Sequence, residues 1–165
     1  MALPAGGSES KYVVSPIAGT TPGGPGEWRT PPELFAALHR RYQFDLDAFA
    51  TRENHLLEEY CADWGEHSGL TVSWRDRRVF MNPPYTRDLI GKCMAKAASE
   101  RNAAAIIVAL IPAATSTRWW HESVLPYCEL IWLTKRVKYL RPDGTPAGSP
   151  SFDSIVAVYR SEIEW

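Results

Sequence analysis

Apolar and polar positions change period several times along this chain, and each change marks a predicted element. The first helical period follows Trp28, where Leu34, Phe35 and Leu38 share one face at three- and four-residue spacing. Thr30 fits an N-cap, Pro31 the first helical position and Glu33 the third residue of a capping box, so a helix is predicted to about Arg41. Gln43–Ala50 (QFDLDAFA) reads as a short strand and the turn after it. Glu53–Tyr60 is expected to form a helical turn or two, and the polar stretch Cys61–Ser73, broken at Ser68-Gly69, a series of turns. Arg78–Met81 reads as a strand, and Asp88–Ser99 as a helix with Leu89, Cys93, Met94 and Ala97 facing inward. The unbroken apolar run Ala104–Ile111, closed by Pro112, suits a strand buried on both faces. Ser116–Leu125 is expected to be helical, Leu130–Leu140 a strand, Arg141–Pro150 a loop and Ser154–Tyr159 a last strand. Strands alternating with helices, then two strands joined by a loop, predict an α/β sheet with an antiparallel hairpin at one edge.

Composition narrows this picture. Residues 1–26, rich in Gly, Pro, Ser and Thr, carry no such period and are expected to form a flexible arm ahead of one domain spanning 27–165. A chain of 165 residues, 45% hydrophobic and 22% charged, has material for one core and not for two. The net charge of −1 argues against a protein that coats nucleic acid, so any such contact needs a local patch. Cys61, Cys93 and Cys128 are odd in number and lack CxxC spacing, which speaks against a disulfide framework or a zinc site and points to a reducing, cytoplasmic setting. His39, His55, His67 and His121 are scattered without ligand spacing, so no metal is expected. No apolar run reaches the roughly 18 residues of a membrane span, and the N-terminus lacks a signal-peptide core, so no membrane partner is expected.

The chemistry concentrates at Asn82-Pro83-Pro84-Tyr85, directly after Val79-Phe80-Met81. Neither proline has an N–H for a ladder, so the strand must end and the backbone turn at its carboxyl end. Open α/β sheets bind ligands at that end. The Asn82 amide oxygen and the Pro83 carbonyl are two acceptors, and Tyr85 adds a flat ring. That set suits the amino group of a planar conjugated amine: adenine N6, cytosine N4 or a carboxamide. A Pro-Pro turn that merely ends a strand is the plain alternative.

With its neighbours, the motif resembles those of S-adenosylmethionine-dependent amino methyltransferases, and more closely the small Dam-like DNA N6-adenine methyltransferases of phages and prophages. The resemblance rests on Trp28-Arg-Thr-Pro-Pro-Glu-Leu-Phe35, Phe44-Asp-Leu-Asp-Ala-Phe-Ala50, Gly69-Leu70, Trp74, Phe80-Met-Asn-Pro-Pro-Tyr85 and Thr115-Ser-Thr-Arg-Trp-Trp120, in that order. It implies a Rossmann-like methyltransferase fold, mostly parallel with helices on both faces and an antiparallel edge hairpin. It also implies S-adenosylmethionine as cofactor, double-stranded DNA as partner, a monomer or weak homodimer, and a bacterial host or phage-infected cell as setting.

The resemblance further implies roles for single residues. Asn82, Pro83, Pro84 and Tyr85 would be catalytic, the two acceptors holding the target amino group and Tyr85 stacking on a flipped adenine. Trp28, Thr30, Pro31, Asp45, Asp47, Ala48 and Asn82 would line the cofactor, with Thr30-Pro31 opening a helix toward its carboxylate and Asp47, or Asp45 two residues earlier, accepting from its ammonium. The usual glycine-rich turn after that strand is absent, with Ala48-Phe49-Ala50-Thr51 in its place. Asp63, Glu66 and Glu53 are candidates for the cofactor ribose. Arg87, Arg118, Arg136, Tyr139 and Phe152 are candidates for DNA, with Arg75, Arg77 and Arg78 as further cations near the motif. The Trp119-Trp120 pair belongs either to the pocket wall or to the core. Methylation of cytosine N4, an RNA adenine or a protein glutamine is the rival within enzymes, and a degenerate DNA- or cofactor-binding protein the rival outside them.

Overall fold

The computed structural model describes residues 28–62, 65–148 and 150–161, so the expected arm lies outside the described residues. The elements in order are α1 (Pro32–Tyr42), β1 (Leu46–Ala48), β2 (Tyr60–Cys61), β3 (Arg78–Met81), α2 (Arg87–Glu100), β4 (Ile106–Pro112), α3 (Arg118–Ser123), β5 (Cys128–Trp132) and β6 (Ser154–Tyr159). The strands form one sheet in the order β2-β1-β3-β4-β6-β5. The first four are parallel to one another, whereas β6 runs antiparallel to both β4 and β5. This is the expected mostly parallel sheet with an antiparallel hairpin at its edge.

The apolar run holds the centre. Ile107–Ile111 is solvent-free, flanked by β3 on one side and by a wholly buried β6 on the other. Strand alternation sends successive residues to opposite faces. Leu46, Val79, Met81, Ile107 and Ala109 meet Ile90, Cys93, Met94 and Ala97 of α2 and Trp120 of α3. Phe80, Val108, Leu110 and Val156 meet Leu38 and Tyr42 of α1 together with Val137 and Tyr139. Helices therefore cover both faces. Trp120 is core and Trp119 packs partly buried against it, which settles that pair as packing rather than pocket wall.

Three local expectations are corrected. Helix α1 starts one residue later than the capping box required: Pro31 is the N-cap, no side chain caps it, and the Thr30 hydroxyl is engaged elsewhere. Residues 53–60 form turns and then the edge strand β2, because their bonds are tertiary. The Leu56 N–H donates to Asp47 and the Glu53 carbonyl accepts from Arg29. The expected strand Leu130–Leu140 ends at Trp132, after which the chain leaves the sheet and buries Val137 and Tyr139 on the α1 side. Leu140 then bridges to Arg29 and Pro146.

Candidate active site at the carboxyl edge of the sheet

Asn82 follows the last residue of β3, and the ladder to β4 stops on this side at Met81 opposite Ala109. The two prolines that follow have no N–H to extend it. Asn82 falls two residues past Phe80, on the face covered by α1, and its amide is spoken for on both ends. Its Nδ2 donates to the Trp28 carbonyl at 2.5 Å and to the Thr30 hydroxyl at 3.0 Å. Its Oδ1 accepts from the Tyr85 hydroxyl at 2.7 Å. A backbone carbonyl can only accept, so the Trp28 contact assigns the nitrogen to that side and leaves Oδ1 facing Tyr85.

Tyr85 is a half-buried ring on a buried hydroxyl. The hydroxyl lies 2.9 Å from the Leu110 carbonyl and 3.0 Å from the Tyr139 hydroxyl. Phe152 stands edge-on to the ring at 5.6 Å, and Trp28 is edge-on to Phe152 at 5.5 Å. An aromatic wall thus lines one side of the motif. Desolvation pushes the Tyr85 phenol well above its ordinary value, so it stays a neutral donor.

Asp47 lies on β1 opposite Phe80, on the same face as Asn82, and is almost fully buried. Its Oδ2 accepts from the Leu56 N–H at 2.8 Å. Burial raises its pKa from 3.8 to about 7, with only that one hydrogen bond opposing, and no cation among the described residues compensates it. Asp45 is corrected out of this set. It sits at the amino end of β1, bonded to Arg77 Nε at 3.0 Å and to the Arg78 N–H at 3.0 Å. That end faces away from the motif.

The missing glycine turn has a substitute. Phe49 adopts φ +66°, the left-handed conformation a glycine ordinarily supplies. Its ring is pressed into the core beside Trp74 and across Gly69, where an added Cβ would come within 2.6 Å of it. Ala48 is wholly buried between β2 and β3, so as it stands neither its side chain nor its backbone is open to a ligand.

At the start of α1, Pro31 and Pro32 remove two of the four leading N–H groups, leaving Glu33 and Leu34 as donors. Thr30 is assigned to Asn82 rather than to a cap. Of the ribose candidates, Glu53 and Glu66 are exposed. Asp63 is the acid that follows β2 in the chain, and it lies outside the described residues. The two-residue strand β2 was too short to read from periodicity.

The DNA candidates divide. Arg87 opens α2 and Arg118 opens α3, both exposed beyond carboxyl ends of strands. Arg136 is exposed and bonded to Asp153 at 3.1 Å and to the Pro150 carbonyl at 3.2 Å. Phe152 is half-buried in the aromatic wall. Tyr139 is corrected: it is completely buried and cannot meet DNA from this position. Arg77 and Arg78 are likewise removed, being bonded to Asp45, Tyr42 and Gln43 at the amino end of the sheet.

A six-stranded α/β sheet with a polar constellation at its carboxyl edge belongs to the class that binds ligands at strand ends. The family model described as DNA N-6-adenine-methyltransferase (Dam) matches residues 23–163, and the chain belongs to that family. A protein of Escherichia phage T1, named DNA N-6-adenine-methyltransferase, is 34% identical over 110 residues, covering 64% of this chain and 44% of the phage protein. A protein of the same name from Haemophilus phage HP1 (strain HP1c1) is 28% identical over 109 residues, covering 65% of this chain and 61% of its own length. The chain thus spans about half the length of the curated relatives it matches.

Proposed function

We propose that this chain transfers a methyl group from S-adenosylmethionine to N6 of an adenine in DNA. The observation that carries the reading is the Asn82 amide, held by Trp28, Thr30 and Tyr85 with its oxygen as acceptor at the carboxyl edge of the sheet. The names of the two phage relatives support adenine N6 over the other planar amines.

A base inside a duplex keeps its amino group out of reach, so the target must leave the stack. Asn82 Oδ1, with one lone pair given to Tyr85, retains a second for an amino hydrogen, and the Pro83 carbonyl is the other acceptor. Two acceptors draw the nitrogen lone pair away from conjugation with the ring. The half-exposed face of Tyr85 takes the base, a stacking contact worth roughly 1–3 kcal/mol. S-adenosylmethionine, when bound, supplies an electrophilic methyl group, so the remaining demand on the protein is orientation.

The residues present fit that cofactor. Asp47 is a buried carboxylate that, among the described residues, has a single hydrogen bond and no cation beside it, an unfavourable state that an ammonium would relieve. The Glu33 and Leu34 N–H groups would face its carboxylate.

The test is labelled methyl transfer to DNA, followed by mass spectrometry of the nucleosides. N6-methyladenine is expected. Asn82→Ala is expected to abolish transfer while calorimetry still detects cofactor binding. N4-methylcytosine without N6-methyladenine, or unchanged turnover in Asn82→Ala, would overturn the reading.

A further inference from the structure

We propose that Tyr139 and Ser154 are positioning residues for Asn82, acting through the Tyr85 hydroxyl; the inference rests on the methyl-transfer reading above. Three short contacts run in series. Ser154 Oγ is 2.9 Å from the Tyr139 hydroxyl, which is 3.0 Å from the Tyr85 hydroxyl, which is 2.7 Å from Asn82 Oδ1. Ser154 begins β6 and Tyr139 lies between β5 and β6, so neither belongs to the motif or to its strand.

Proton counting gives the chain a direction. Asn82 Oδ1 and the Leu110 carbonyl can only accept, and both lie within reach of Tyr85, which has a single proton. Tyr85 is therefore the donor to that pair, and its remaining contact with Tyr139 is satisfied when Tyr139 donates to it. The Tyr139 proton has two hydroxyl neighbours, Tyr85 and Ser154, and it is directed to Tyr85 when Ser154 donates to Tyr139. Every proton is then used in sequence from Ser154 to Tyr85, whose own proton lies between Asn82 Oδ1 at 2.7 Å and the Leu110 carbonyl at 2.9 Å, and bonds in series polarise one another. Tyr139 is wholly buried and Ser154 nearly so, so water does not compete for these hydroxyls. Burial also raises the pKa of both phenols, which keeps their protons in place at neutral pH.

The consequence is geometric. Trp28 and Thr30 hold the nitrogen end of the amide, while the edge hairpin, through Tyr139 and Tyr85, holds the oxygen end. The lone pair left on Oδ1 for the target amino group is aimed by residues that touch neither base nor cofactor.

The experiment compares wild type with Tyr139→Phe, Ser154→Ala, Tyr85→Phe and the Tyr85→Phe/Tyr139→Phe double variant. Tyr139→Phe is expected to lower kcat about three- to tenfold, the worth of one neutral hydrogen bond, with KM for DNA and cofactor nearly unchanged. Ser154→Ala should shift kcat in the same direction by less. The double variant should be no slower than Tyr85→Phe alone, because Tyr139 acts through Tyr85. A second readout does not need turnover: the Asn82 side-chain amide signals in the NMR spectrum, identified by their absence from Asn82→Ala, should move in Tyr139→Phe. Unmoved amide signals would overturn the proposal, as would losses that add in the double variant or a kcat per folded molecule equal to wild type. The spectrum decides the network even in a preparation that transfers no methyl group, so this inference and the functional reading fail separately.

Discussion

Asp47 is the residue whose physics is most exposed to test. Its pKa rises from 3.8 to about 7 on folding, so between those values the folded chain binds a proton that the unfolded chain has released. Stability contributed by this group is therefore present below about pH 4, declines as pH rises toward 7 and stays low above it. Asp47→Asn keeps an acceptor for the Leu56 N–H and removes the charge. At about 1.4 kcal/mol per pKa unit, this variant should be more stable than wild type at pH 7.5 by up to a few kcal/mol, a gain that urea unfolding at pH 4 should not show. The same variant is expected to lose cofactor binding by calorimetry. Gly69 offers a complementary test. Gly69→Ala drives a methyl into the Phe49 ring, whose left-handed backbone forms the turn after β1. A destabilisation of about 1–3 kcal/mol by thermal or urea unfolding is expected, with weakened cofactor binding because the turn beside Asp47 shifts with the ring.

At the scale of elements, the proposed function gives the two ends of the sheet separate tasks. The amino end is closed by Asp45, whose side chain bonds Arg77 and the backbone of Arg78, while Arg78 reaches back to the carbonyls of Tyr42 and Gln43. The Asp45–Arg77 pair is part-exposed, with side-chain accessibilities of 48% and 28%, so its contribution is modest. Asp45→Ala is expected to lower stability by about 1 kcal/mol and to leave cofactor affinity untouched, in contrast to Asp47→Asn. Equal loss of cofactor binding in both variants would contradict the division of the sheet into a structural and a binding end. The carboxyl end holds the opposite kind of groups, a buried acid, a tethered amide and aromatic rings, all served by loops that follow β1 and β3 and by the β5–β6 hairpin.

The whole molecule carries a net charge of −1, so attraction to DNA must come from where its cations sit. Arg87 and Arg118 open helices beyond the carboxyl ends of β3 and β4, whereas Arg75 precedes β3 on the opposite side. If the duplex lies against the carboxyl edge, Arg87→Ala should weaken DNA binding at every sequence and flatten its salt dependence by about one unit of slope. Arg75→Ala should do neither. Fluorescence anisotropy over a salt series measures both, and an effect confined to Arg75 would place the DNA elsewhere.

Much of this was legible in the chain alone. The unbroken apolar run Ala104–Ile111 declared a buried central strand, the alternation of elements declared an α/β sheet, and two prolines after Phe80-Met81-Asn82 declared a strand end. These are local consequences of a long apolar run and of missing N–H groups. What required the tertiary structure was every choice between chemically equal neighbours. Asp45 and Asp47 are the same residue type two positions apart, and only the pairing of β1 with β3 sends one to Arg77 and buries the other. Thr30 and Tyr139 read as a helix cap and a DNA contact because their partners, Asn82 and Tyr85, lie more than fifty positions away. Residues 53–60 carry helical spacing, but the bonds to Asp47 and Arg29 draw them into turns and an edge strand. A long apolar run or a missing N–H fixes an element through its own backbone, whereas a short helical spacing and the task of a polar side chain are decided by the partners that folding brings to them.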